Sequence, residues 1–170
     1  LRQPSVCIML PSSQASTPAR TTPSPHTAFW QVAVQPSVAM TDRNNLFALV
    51  KFYKAAEGAG IKPIAGADIS VAEGDETPWK LTLLCRDRSG YLSLSRLLSR
   101  AWMEGQRHDG VMVRPQWLQD ANHGLFALAG RHSQAGQLLA GNRPDLALQS
   151  LADWQRCFDD RFHLELTRCG

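Results

Sequence analysis

Three carboxylates stand where an α/β enzyme would do chemistry: Asp42, Asp68 and Glu165. Asp42 follows the apolar run 37–41, and Asp68 lies in Gly66-Ala67-Asp68 within a second such run. Glu165 sits in Leu164-Glu165-Leu166. In α/β barrels the working residues gather at the C-terminal ends of strands. An acid flanked by apolar neighbours is costly to bury unless it is paired or bound to metal. Several histidines beside such acids would make a metal-dependent hydrolase. The histidines are His26, His108, His123, His132 and His163, and only His163 shares a strand face with one of the acids, Glu165. No H-x-H or H-E-x-x-H occurs. The histidines therefore read as surface groups. Each acid, taken singly, reads as solvent-facing or paired with a nearby arginine.

Other chemistries find less support. There is no G-x-x-x-x-G-K-[ST] loop, no G-x-G-x-x-G and no G-x-S-x-G elbow. The arginines of 96–107 fit a solvated helix face better than a nucleic-acid grip. Net charge is +3, and Arg2 and Arg20 are the only charged residues before 36. The remainder is near neutral and carries no footprint for polyanions or membranes. Cys7, Cys85, Cys157 and Cys169 are far apart, with no C-x-x-C pair. They suit free thiols in a reducing cytoplasm. No apolar run approaches the roughly 20 residues that cross a bilayer.

The chain has two characters. Residues 11–25 are Pro, Ser, Thr, Gln and Ala with one Arg and no acid, and they show no structural period. Such a stretch buries little and is expected to be disordered or poorly packed. From Pro36 the pattern is regular. Ser37–Thr41 predicts a strand. Asp42–Asn44 predicts a turn, with Asn44 capping a helix that carries Leu46, Leu49, Val50, Tyr53 and Ala56 on one face. Gly58 and Gly60 end that helix. Ile61–Val71 and Leu81–Arg86 predict strands, with a turn at Asp87–Gly90. Tyr91–Met103 predicts a helix with Leu94, Leu97, Leu98 and Ala101 inward. Trp117 and Leu118 fall in a short helix after Pro115. Leu125–Ala129 predicts a strand. Pro144 opens a helix with Leu146, Leu148, Leu151 and Trp154 among its apolar positions, and Arg161–Thr167 predicts a last strand. Strands alternating with helices imply an α/β fold on a parallel sheet or barrel. A closed barrel wants more units than these, so the chain reads as cut short at its C-terminal end.

These residues also carry a likeness. Ala39-Met40-Thr41-Asp42-Arg43-Asn44-Asn45-Leu46-Phe47, then Val50-Lys51-Phe52-Tyr53-Lys54-Ala55-Ala56, then Gly60-Ile61-Lys62-Pro63-Ile64-Ala65-Gly66-Ala67-Asp68 resemble the PHP domain of the alpha subunit of bacterial DNA polymerase III. Leu81-Thr82-Leu83-Leu84, Gly90-Tyr91, Gly124-Leu125 and Leu164-Glu165-Leu166-Thr167-Arg168 extend the likeness in order to Gly170. It is most similar to the proteobacterial enzymes. Residues 36–170 thus read as a partial PHP domain, and 1–35 as a segment that matches nothing in the family. That segment is either true divergence or a misread frame, and its composition suits a misread GC-rich gene.

The resemblance implies part of a distorted (β/α)7 barrel, TIM-like, at the front of a longer DNA-directed DNA polymerase of the cytoplasm. Metal-bearing relatives act as phosphoesterases or 3′–5′ exonucleases, with an H-x-H on the first strand. That motif is missing here. The family's Asp-His pair reads Asp42-Arg43, its third-strand Glu reads Asp68, and the usual His before Leu81 is Lys80. Glu165 keeps the late glutamate. The resemblance therefore implies a decayed, non-catalytic scaffold in which Arg43 and Lys80 offset the charge of Asp42, Asp68 and Glu165. No cofactor is expected in these residues, and Mg²⁺ would serve the full-length polymerase. Expected partners are other polymerase subunits, a proofreading exonuclease among them, with DNA held by domains beyond Gly170. The alternative is a stand-alone PHP phosphoesterase or exonuclease, for which the histidines are lacking.

Overall fold

The computed structural model describes residues 5–7, 37–74 and 76–166. The Pro-rich stretch 11–25, the boundary at Pro36 and the end of the last expected strand at Thr167 lie outside them.

The sheet mixes parallel and antiparallel pairs, and one short link decides a reversal within it. Strand β1 (Ser5–Cys7) pairs antiparallel with β2 (Ser37–Arg43). Helix α1 (Leu49–Gly58) carries the chain to β3 (Lys62–Val71), which lies parallel to β2. Residues 72–78 then lead to β4 (Trp79–Cys85). That link is shorter than the roughly 10–12 residues a parallel crossover needs, so β4 turns back antiparallel to β3. Helix α2 (Arg88–Glu104), the small hairpin β5 (Gln106–Arg107) and β6 (Gly110–Val111), and α3 (Pro115–Asp120) lead to β7 (Leu125–Ala129), antiparallel to β4. Helices α4 (Gln134–Ala140) and α5 (Pro144–Phe158) and a 3₁₀ turn at Asp159–Arg161 return it to β8 (Phe162–Leu164), parallel to β7. The order β1-β2-β3-β4-β7-β8 makes an open, mixed sheet among the described residues. The α/β class stands, and the all-parallel expectation is corrected by the short link.

Helices cover one sheet face. Ala67, Ile69, Leu81, Leu83, Leu125 and Ala127 of the strands pack against Leu94, Leu97, Leu98 and Ala101 of α2. The stripe read from α2 is thus the buried one. Its cap is Asp87, whose carboxylate accepts from Ser89 Oγ (2.6 Å) and Gly90 N (3.1 Å). Those donors, the Ser89 hydroxyl first, hold the Asp87 carboxyl below its usual range. Of the apolar positions of helix α5, Trp154 is buried and Leu151 packs half-buried against the core. The helix buries Ala147, Ser150, Trp154 and Phe158, while Leu146 and Leu148 are exposed. Trp154 stands edge-on to Trp79 at 5.3 Å. Helix α1 differs more. It starts at Leu49 rather than near Leu46, and only Ala56 is buried.

Glycine is required where α2 meets the turn before β7. A Cβ on Gly90 would stand 1.9 Å from the Gly124 carbonyl oxygen, and Gly124 itself has φ +68°. Backbone on both sides leaves nothing flexible to move aside. Gly90→Ala is expected to lower stability by about 2–4 kcal/mol, near the upper end for overpacking. A urea midpoint within error of the parent would contradict that packing.

Candidate functional site

Asp68 is the best-defined acid of the candidate set. Its Oδ1 accepts from Thr82 Oγ1 at 2.6 Å, across from it on β4. Arg43 stands opposite Asp68 in the parallel β2–β3 register. Lys80 lies two residues before Thr82 and pairs with Ser70. Strand alternation puts Arg43, Asp68, Lys80 and Thr82 on one sheet face. Arg43 and Lys80 are exposed and Asp68 is half-buried.

The other acids lie apart. Asp42 pairs with Ala67, so alternation sends it to the opposite, helix-covered face. There its Oδ2 accepts from Ala48 N at 2.9 Å, just before α1. Asp42 thus ties the entry of α1, and it extends β2 instead of turning the chain. Glu165 follows β8, where its N–H donates to the Ala129 carbonyl at 3.0 Å. Its carboxylate packs against Gly130. Among the described residues no ion pair joins Arg43 or Lys80 to Asp42, Asp68 or Glu165. His108, His123, His132 and His163 are exposed, and His163 lies beside the Phe126 ring at 5.8 Å. No group of three or more His, Cys, Asp or Glu among the described residues could hold a metal ion. The donor set therefore does not fit a metal cluster.

The residue that organises this region is Asn44, expected from the sequence to cap α1. It does not, because the residue at that cap is Ala48. Asn44 is instead buried at φ 54°, a left-handed backbone that Asn tolerates better than most residues. Its Oδ1 accepts from Ser70 N at 2.8 Å, and its Nδ2 donates to Val111 O at 2.9 Å. Its own N–H donates to Asp68 O at 2.9 Å, and its carbonyl accepts from Trp102 Nε1 at 2.9 Å. One residue thus fastens β2 to β3, to the β5–β6 hairpin and to α2. Thr82 was also not singled out from the sequence. Its role depends on a strand pairing that no local pattern encodes.

Comparison with known proteins places this arrangement. The PHP domain family matches residues 19–169, a span that opens ahead of Pro36. The chain belongs to the PHP domain family. It is 63% identical over 136 residues to the DNA polymerase III subunit alpha of Xylella fastidiosa strain Temecula1, covering 79% of this chain and 11% of that protein. Subunits of the same name from Pseudomonas aeruginosa and Escherichia coli K12 are 43% and 41% identical over 136 and 139 residues. Those matches cover 78% and 79% of this chain and 12% of each relative. The chain therefore spans about one-eighth or less of the length of the curated relatives it matches.

Removing the Asn44 side chain leaves buried polar groups unpaired and Ala in a left-handed backbone. Asn44→Ala is expected to cost about 2–4 kcal/mol. Asn44→Gly relieves only the backbone and should recover about 1 kcal/mol of that loss. Urea unfolding measures both. Equal midpoints for the two variants would contradict the left-handed contribution.

Proposed function

We propose that the chain is the PHP portion of a replicative DNA-directed DNA polymerase alpha subunit, and that these residues form a non-catalytic scaffold. The observation that carries the reading is the chemistry at the family's metal positions, with Arg43 facing Asp68 across β2 and β3 and Lys80 on the same sheet face. A metal cluster neutralises its carboxylates with mobile cations. When such a site decays, the remaining acids still need positive charge or hydrogen bonds. Thr82 supplies a hydrogen bond to Asp68. Arg43 and Lys80 supply fixed charge that needs no coordination. Asp42 and Glu165 complete the remnant in the family sense, with Asp42 on the other sheet face from Asp68.

In this reading the described strands are an arc of a distorted (β/α)7 barrel. Residues 36–170 are its partial domain, and the family match reaches back to residue 19 within the leading segment. The barrel works by shape, holding other polymerase subunits such as a proofreading exonuclease. DNA and Mg²⁺ belong to other parts of the full-length polymerase, in the cytoplasm. A free-standing phosphoesterase is the competing activity. Hydrolysis of bis(p-nitrophenyl) phosphate by the chain in Mn²⁺ or Zn²⁺ separates the two. The expected rate equals that of metal alone. Turnover that Asp68→Asn abolishes would overturn the scaffold reading.

A further inference from the structure

Two positions of the α1 stripe that its sequence marks as inward, Val50 and Tyr53, are open. Val50 is 64% exposed and Tyr53 46% exposed, although their spacing is that of a core stripe. They wall a groove of about 780 Å³ whose opposite side is Tyr91 at the start of α2. Ile64, Leu84 and Phe126 contribute to its apolar lining. The groove is thus bounded by two helices, a shape that receives an apolar helical ridge.

Its charge is one-sided. Lys54, Lys62, Arg86 and Arg88 belong to the lining and are all exposed. No ion pair engages any of them among the described residues. Among the described residues Asp87 is the only carboxylate of the lining, and it is turned onto its own helix cap at Ser89 and Gly90. Nearby Glu57 accepts from the Tyr53 hydroxyl, which raises that phenol's pKa. An apolar trough rimmed by four cations selects a ligand that is apolar along one stripe and acidic along its flanks.

We propose that this groove is a docking site for an acidic amphipathic helix of a protein partner. Nothing in this depends on the polymerase reading, since Asp68 is not part of the groove's lining and the surface is defined by its own residues. Cation–carboxylate steering at the rim supplies specificity and rate, and the apolar stripe supplies the lasting contact.

The test uses the full chain and a fluorescein-labelled helical peptide with a leucine stripe flanked by glutamates. A second peptide has lysines in place of the glutamates, and a third has alanines in place of the leucines. Fluorescence anisotropy is expected to show the glutamate–leucine peptide binding about tenfold or more tightly than either control, a difference of about 1.4 kcal/mol. Val50→Glu, at an exposed position, should weaken it about tenfold with the circular dichroism spectrum unchanged. Lys54→Glu with Arg88→Glu should weaken it and strengthen the lysine peptide. Equal binding of the three peptides, or indifference to Val50→Glu, would overturn the proposal. So would phosphatidylglycerol vesicles binding through Val50 while no peptide binds. Self-association that Val50→Glu reverses in sedimentation, again without peptide binding, would assign the groove to a second copy and overturn it too.

Discussion

A buried amide holds this fold at its working end. Asn44 ends β2 in a left-handed turn, and its side chain satisfies the Ser70 N–H and the Val111 carbonyl. No aliphatic residue offers both a donor and an acceptor on one short arm. Without that arm the polar ends of β3 and of the β5–β6 hairpin would be buried and unpaired, which costs more than the bonds themselves contribute. The same residue's backbone reaches Asp68 and Trp102. The backbone carbonyl of the candidate acid at 68 is therefore held by the N–H of the residue that organises the turn.

The charges around it follow a different logic from the core. Arg43 and Lys80 are exposed, so their pull on Asp68 acts through water-screened distance and is worth about 1 kcal/mol or less. That suits a site whose cations offset residual charge without forming tight pairs. Asp42 makes the contrast clear. It shares a dipeptide with Arg43, yet it serves the backbone at Ala48 on the other side of the sheet.

What the sequence revealed depended on how local each determinant was. The stripe Leu94, Leu97, Leu98 and Ala101 was legible because a long helix against a sheet repeats its period. Helix α5 was legible too, but its apolar positions did not show which are buried: Trp154 is, while Leu146 and Leu148 are exposed. The two-residue strands β5 and β6 are too short to show a period, and the seven residues of α4 went unread. The reversal of β4 was available only from the shortness of 72–78, since apolar strands look alike in either direction. Asn44 looked like a cap because its true partners, Ser70 and Val111, are distant in sequence. Strand β1, which pairs with Ala39, Met40 and Thr41 of β2, lies ahead of the unpatterned stretch 11–25 and is too short to show a period.

The central claim is that fixed side-chain charge and hydrogen bonding stand where the family's metal ions would be. The direct measurement is metal content of the purified full chain after dialysis against Zn²⁺ and Mn²⁺, by inductively coupled plasma mass spectrometry. The account predicts well below one ion per chain for either metal, unchanged by Asp68→Asn. Stoichiometric metal that Asp68→Asn removes would contradict it.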